Sequence, residues 1–333
     1  MARMIEDAGS TPGAVQTRTP VISVVAPVYN EQETLPHFYK RVVEVMDGLG
    51  EPFEIVLIND GSRDDSFALM RDLHARDPRV RALNFSRNFG HQAAISAGLD
   101  LARGDAVVII DSDLQDPPEV IPEMVEQWRN GAQVVYAQRR QRVGETRFKL
   151  LTAAIFYRLI NRLTTMKLPR DTGDFRLLDR KVVNALIQMH EHNRFMRGLS
   201  VWVGFRQEVV KYDRHERFAG TTNYPLFKMI RLSMDAITGF SYAPLKLATS
   251  LGFLFAGLSL LGIVLAVIVR IVTGAIVGQG TTLIVVLFLG GIQLIFLGVI
   301  GEYLSRIYDE VRNRPLYIVS ETLDTTDETS GQS

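Results

Sequence analysis

The rhythm of apolar and polar positions changes repeatedly through the first part of the chain. Val21–Pro27 is an unbroken β-rich run, and a helical period takes over from Glu33 to Leu49. Phe53–Ile58 predicts a second strand, and Asp64–Ala75 a helix with Ser62 as its N-cap. Val80–Phe85 and His91–Ala102 repeat the unit. Ala106–Ile110 is a fully apolar strand, Pro118–Asn130 a helix with proline near its start, and Gln133–Ala137 a fifth strand. Alternation of this kind predicts an α/β domain, a mostly parallel sheet with helices on both faces.

Further on, the pattern stops alternating. Leu247–Val269 and Thr281–Gly301 are uncharged and apolar throughout. At ~1.5 Å per residue each matches a hydrocarbon core of about 30 Å. The short link Arg270–Gly280 makes the pair a hairpin. Lys228, Arg231 and Lys246 precede the first span, and Arg306, Arg312 and Arg314 follow the second. The tip carries only Arg270, so the positive-inside rule puts the tip outside and both flanks in the cytoplasm. Pro225–Phe240 reads as an amphipathic helix at the interface, and Tyr303–Val311 repeats its character. Residues 1–20 lack the apolar core of a signal peptide and read as a flexible leader. The acidic Ser/Thr-rich stretch after Val319 reads the same way. The domain plan is therefore a catalytic-sized unit at 21–224, a juxtamembrane helix at 225–246, and two spans within 247–301. A membrane-proximal segment at 302–318 and a disordered tail at 319–333 complete it.

Composition narrows the chemistry. The 333 residues hold 37 Lys+Arg and 37 Asp+Glu, so there is no basic excess of the kind a nucleic-acid protein shows. With no cysteine, disulfides, thiolate metal sites and a Cys nucleophile are excluded. No Gly-x-Gly-x-x-Gly follows the first strand and no Gly-x-x-x-x-Gly-Lys occurs, which disfavours dinucleotide enzymes and P-loop phosphotransferases.

Ligands of parallel sheets bind beyond the carboxyl ends of the strands. Polar clusters stand at all five ends: Tyr29-Asn30-Glu31, Asn59-Asp60-Gly61-Ser62, Ser86-Arg87-Asn88, Asp111-Ser112-Asp113 and Gln138-Arg139-Arg140. Asp111 and Asp113, two apart on an extended segment, would share a face. Paired carboxylates repel unless a proton or cation joins them, and oxygen-rich sites suit Mg²⁺ or Mn²⁺. Gln115 offers an amide oxygen, whereas Asp116 is left as a turn or cap residue.

Several long motifs then occur in one order: "VVAPVYNE", "LINDGSRDDS", "NFSRNFGHQAAISAGLDLARGDAVVIIDSDLQDPPE", "DTGDFRLLDRKVV", "RFMRGLSVWVGF", "RFAGTTNYPLFKM" and "VIGEYLSRIYDEVRNRPLYIV". Over residues 20–318 the chain resembles the polyprenyl-phosphate glycosyltransferases of glycosyltransferase family 2. Bacterial bactoprenol glucosyltransferases are the nearest type, and dolichol-phosphate mannose synthase is a relative. The resemblance implies a GT-A fold, followed by interfacial helices and a two-helix transmembrane hairpin in the cell membrane. It implies an inverting transfer of a hexose, glucose first, from a UDP-sugar to polyprenyl phosphate at the cytoplasmic face. UDP-GlcNAc, UDP-galactose, GDP-mannose and UDP-4-amino-arabinose are the alternative donors, and a non-catalytic nucleotide-sugar-binding subunit is the alternative class.

Residue by residue, the resemblance gives Pro27, Tyr29, Glu31 and Asp60 to the nucleotide and Asp111 to the nucleotide and sugar. Asp113 and Gln115, beside Asp111, would hold Mg²⁺ or Mn²⁺. Arg87 equally meets phosphate or only caps local loops, and Asp60 taken by itself reads as a turn residue. Asp174, after a Gly turn and before a short strand, is the candidate catalytic carboxylate. An acceptor phosphate is already ionised, so Asp174 has a positioning role open to it besides that of a base. Arg217 leads the acceptor-phosphate candidates, followed by Arg214, Lys228, Arg139 and Arg147. Many relatives carry Lys where Asn223 stands, which removes one cation. Gly252, Ala256, Gly290, Gly291 and Gly298 would let spans pack closely, in keeping with the homo-oligomer, such as a tetramer, that the resemblance implies.

Overall fold

The computed structural model describes residues 20–140, 172–192, 194–213, 243–273 and 279–324. Eight strands form one sheet in the order β7-β5-β6-β4-β1-β2-β3-β8. The first five are β1 (Ile22–Val28), β2 (Phe53–Asn59), β3 (Val80–Phe85), β4 (Ala106–Ile109) and β5 (Val134–Arg139). Between them lie α1 (Leu35–Leu49), α2 (Ser66–Arg76), α3 (His91–Leu101) and α4 (Ile121–Arg129). Each strand reads as an apolar run because both faces are covered.

Strand alternation divides the core in two. Val24, Ala26, Ile55 and Leu57 face one side, where they meet Phe38, Met70 and Met124 of α1, α2 and α4. Val25, Val56 and Ile58 face the other, with Ile95 of α3, Val182 and Leu199. Fully burying one such aliphatic side chain stabilises by about 1.5–3 kcal/mol. In α1 the buried positions Leu35, Phe38, Val42 and Met46 keep the helical period, and Gly50 closes the helix in the left-handed region at φ +69°. Gly98 lets α3 lie directly on β1, since a Cβ there would sit 2.2 Å from Val25 Cγ1.

The remaining elements depart from the expected plan. β6 (Thr172–Asp179) runs antiparallel to both β4 and β5, and β8 (Val319–Leu323) antiparallel to β3. β7 (Gln207–Tyr212) pairs in parallel with β5. The sheet is thus mixed, with four of its seven pairings parallel, as alternation predicted for most of it. α5 (Arg180–Ile187) and α6 (Met196–Trp202) complete the second face. Ser62 does not cap α2. Its hydroxyl accepts from the Asn30 amide and donates to Asn59 Oδ1, and Asp65 occupies the cap position. The stretch from Val319, expected to be flexible, begins as an edge strand. Backbone pairing with β3 and the Arg71–Glu321 ion pair hold it there.

α7 (Ala243–Thr273) and α8 (Gln279–Arg312) are both long and apolar enough to cross a membrane. Their leucines and isoleucines are exposed along their length, an apolar surface far too large for contact with water. The two helices touch, with Phe255 and Phe288 edge to face at 6.3 Å. A Cβ added at Gly252, Gly290, Gly291 or Gly298 would meet nothing within 4 Å, so contact between these two helices does not require them. Tyr303–Val311 is not a separate interfacial helix, because α8 continues through it to Arg312 without a break. The Pro225–Phe240 helix lies outside the described residues.

Candidate active site

Because β6 is antiparallel to β4 and β5, it starts on the rim where the first five strands end. That reversal carries Asp174 to the carboxylates of the β4 end. A cavity of about 470 Å³ opens on this rim. Its wall takes Pro27, Tyr29 and Glu31 from the β1 end and Asp60 from the β2 end. Asn88, Gly90 and His91 come from the β3–α3 turn, with Asp111 and Asp113 from the β4 end. Six of the expected donor-site residues therefore share one wall.

Asp111 and Asp113 do not share it through strand alternation. β4 ends at Ile109, the chain turns from Ser112, and Leu114 sits in the left-handed region at φ +59°. The turn swings Gln115 off the cavity wall, while its backbone amide donates to Asp113 Oδ1 at 3.1 Å. Asp60 is buried and accepts from the amides of Phe89 and Gly90 at 2.7 and 3.0 Å, which locks the β3–α3 turn. Burial raises its pKa, and these two amides oppose the rise. Gly61, at φ +65°, is required here, because a Cβ would lie 2.4 Å from the Arg87 carbonyl carbon. Arg87 does not line the cavity. It donates to the Asn88 carbonyl and lies over the Phe89 ring at 4.0 Å.

Asp174 lies within β6, not ahead of a short strand, and is only 7% exposed. Arg197 of α6 grips both its oxygens, at 2.9 and 3.0 Å. Arg176 stands 3.8 Å away, fully buried, and donates to the carbonyls of Gly173, Asp174 and Met196. His91 Nε2 bridges the two carboxylate groups, 3.3 Å from Asp174 and 3.5 Å from Asp111. Burial by itself would raise the Asp174 pKa. His91, Arg197 and Arg176 outweigh it and hold the carboxyl well below the usual range. For His91, burial lowers the pKa, and Asp174 and Asp111 more than reverse that.

Asp111 shows the opposite balance. Burial pushes its pKa up to about 6, with Asp174, Asp116 and Asp113 adding to the rise and His91 opposing it. Its Oδ1 is buried without a hydrogen-bond partner among the described residues. An oxygen with no hydrogen bond, faced by His91 at 3.5 Å and by three neighbouring carboxylates on a cavity wall, is chemistry that a divalent cation fits. Among the described residues no group of three or more His, Asp or Glu gathers for a metal. Two carboxylates suffice for an ion that keeps waters and phosphate oxygens as its other ligands. The folded chain holds the Asp111 proton more tightly than an unfolded chain would, so the ionised group destabilises the free protein above about pH 6. That penalty fades as pH falls toward the ordinary value of 3.8. Asp111→Asn is therefore expected to raise the melting temperature at pH 8 and to leave it unchanged near pH 4. A lower melting temperature at pH 8 would contradict this balance.

Sequence reasoning passed over three site residues. His91 and Arg197 sat inside quoted motifs without a role. Asp116 is not a mere turn residue: it is 1% exposed, accepts from the Tyr212 hydroxyl, and lies 4.0 Å from Arg139. Arg139 also donates to that hydroxyl at 3.3 Å, so it stands at the β5 end beside Asp116 and is not part of the Asp111 cavity wall. Arg147, Arg214, Arg217, Lys228 and Asn223 lie outside the described residues.

Residues 23–187 match the family model described as glycosyl transferase family 2, and residues 243–307 match that of the GtrB C-terminal hairpin. An uncharacterized glycosyltransferase of Bacillus subtilis (strain 168) is 52% identical over 90% of this chain and 93% of its own length. A bactoprenol glucosyl transferase of Shigella phage SfII is 46% identical over 90% of this chain and 98% of its own. A prophage bactoprenol glucosyl transferase homolog of Escherichia coli (strain K12) is 44% identical over the same shares. With the rim cavity on a GT-A sheet and an apolar hairpin behind it, the chain belongs to glycosyl transferase family 2, as a glycosyltransferase carrying the GtrB C-terminal hairpin.

Proposed function

We propose that the chain transfers glucose from UDP-glucose to a polyprenyl phosphate, with inversion, at the cytoplasmic face of the cell membrane. What carries the reading is the near full-length likeness to bactoprenol glucosyl transferases, hairpin included. The nucleoside would lie along Pro27, Tyr29, Glu31 and Asp60, with the diphosphate at the Asp111–Asp113 turn. Mg²⁺ or Mn²⁺ held by Asp111 and Asp113 would neutralise the leaving diphosphate. The acceptor phosphate oxygen, already ionised, attacks the anomeric carbon from the opposite face, and UDP departs. Asp174 is a poor proton acceptor, because its charged partners hold it ionised. Its part is to fix Arg197 and His91 around the sugar and the incoming phosphate, so that positioning and fixed charge supply the catalysis. Arg217, Arg214, Lys228, Arg147 and Arg139 remain the acceptor-phosphate candidates. The two spans would keep the cavity near the bilayer surface, with the hairpin tip outside and the flanks cytoplasmic.

Membranes containing the protein, given labelled UDP-glucose, polyprenyl phosphate and Mg²⁺ or Mn²⁺, are expected to form a lipid-linked glucose. Excess unlabelled UDP-glucose should suppress the label, and UDP-GlcNAc, UDP-galactose or GDP-mannose should not. Transfer from UDP-glucose at background level overturns the donor assignment. Transfer undiminished by EDTA overturns the metal role.

A further inference from the structure

A second cavity, about 490 Å³, lies where the chain leaves α8 and meets the end of α3 and the α5–α6 connection. It is separate from the rim cavity, and the transfer reaction uses none of its residues. Two imidazoles and two guanidinium groups line it: His190, His192 and Arg194 from the connection, and Arg314 after α8. Ile187 and Leu316 add apolar wall. Two of the nitrogens are buried and have no acceptor among the described residues, His192 Nε2 and Arg194 Nε. The other side of the Arg194 guanidinium is engaged, donating through Nη2 to the Met189 carbonyl.

The nearby carboxylates do not fill this demand. Asp100 accepts from the Tyr317 hydroxyl at 2.8 Å, which closes one wall. Glu310 accepts from the His192 backbone amide at 2.8 Å, which ties α8 to the connection. Glu191 is the third carboxylate near Arg194; burial and the neighbouring Glu310 raise its pKa, and Arg194 opposes the rise. Buried donors without acceptors cost free energy, and an oxygen-rich anion is the group that relieves several at once.

We propose that this cavity binds a phosphate group, held by Arg194, His192 and Arg314, and presented by an anionic lipid headgroup or by a soluble phosphate. The location suits either source, since the cavity sits at the foot of a membrane-crossing helix and is open to solvent. It also has a route to the active site. Two residues beyond Arg194, the Met196 amide donates to Gln92 beside His91, and Arg197 grips Asp174.

The test uses the full-length protein in nanodiscs with UDP at saturation, so that the rim cavity is filled. Inorganic phosphate is titrated and the melting temperature followed. In phosphatidylcholine discs the wild type is expected to gain stability with phosphate. Arg194→Gln, and separately the exposed Arg314→Gln, should weaken that response by about tenfold. Arg314→Gln keeps the test decisive if Arg194→Gln does not fold. In discs containing phosphatidylglycerol, loss of the phosphate response with a higher starting melting temperature identifies the lipid headgroup as occupant. A response that persists identifies soluble phosphate. The proposal is overturned if both variants titrate like the wild type. It is equally overturned if the wild type responds neither to phosphate nor to phosphatidylglycerol.

Discussion

Asp174→Asn is expected to lower glucosyl transfer by about 10²–10³-fold, the loss typical when one preorganised charge partner is removed from an active site. Asparagine keeps the shape and one acceptor for Arg197 but cancels the charge shared by Arg197, Arg176 and His91. Arg176 is then a fully buried cation left with carbonyls, the Ser200 hydroxyl and the Tyr136 ring, and no carboxylate among the described residues. Uncompensated charge of that kind costs about 3–5 kcal/mol, so the variant should also melt earlier. The pH dependence separates positioning from base catalysis. If Asp174 positions, the residual rate of the variant follows the same pH profile as the wild type. A wild-type rate that falls on acidification with a titration absent from the variant would make Asp174 a base. A rate within twofold of wild type would remove it from the machinery.

The second large effect is on stability, at the end of the sheet away from the cavity. Asp324, just past β8, accepts from Arg81 at 2.7 and 3.1 Å and from Arg103 at 2.9 Å. Arg81 is itself buried, with Glu54 on its other side at 2.8 Å, and Glu54 also takes the Ser23 hydroxyl and the Arg103 amide. This network fastens the chain that has returned from the apolar hairpin onto β2, β3 and the start of β4. Asp324→Ala leaves Arg81 one counterion short, an expected loss of about 3 kcal/mol. For a domain of this size that corresponds to a melting temperature lower by roughly 6–12 °C. Glu321→Ala removes only the exposed pair with Arg71 and should cost less than about 1 kcal/mol. Equal shifts for the two variants would contradict the assignment of the network as buried.

The parts of the fold that were legible in the sequence are those whose signal is local. β1 to β5 are apolar on both faces, and α1 shows its buried stripe at helical spacing. The carboxylates at the β4 end stood out for the same reason, as charge immediately after a buried strand. β7 and β8 were missed because they hold polar residues and bury little: in β7 only Val210 and Tyr212 are buried. What fixes β8 is pairing with β3 and ion pairs to residues far away in the chain, which no local pattern records. Asp116 escaped for a like reason, since its partners Tyr212 and Arg139 lie beyond the next helix. His91 follows Gly90 on the rim, and that position was the available signal. Its role rests on β6 running backward to bring Asp174 beside it.

The anomeric configuration of the lipid product, read by NMR after incubating the purified protein with UDP-α-glucose and polyprenyl phosphate, tests the central claim most directly. In-line attack by the acceptor phosphate predicts a β-linked glucosyl phosphate lipid. An α-linked product, or no glucosyl lipid with active metal and acceptor present, would contradict it.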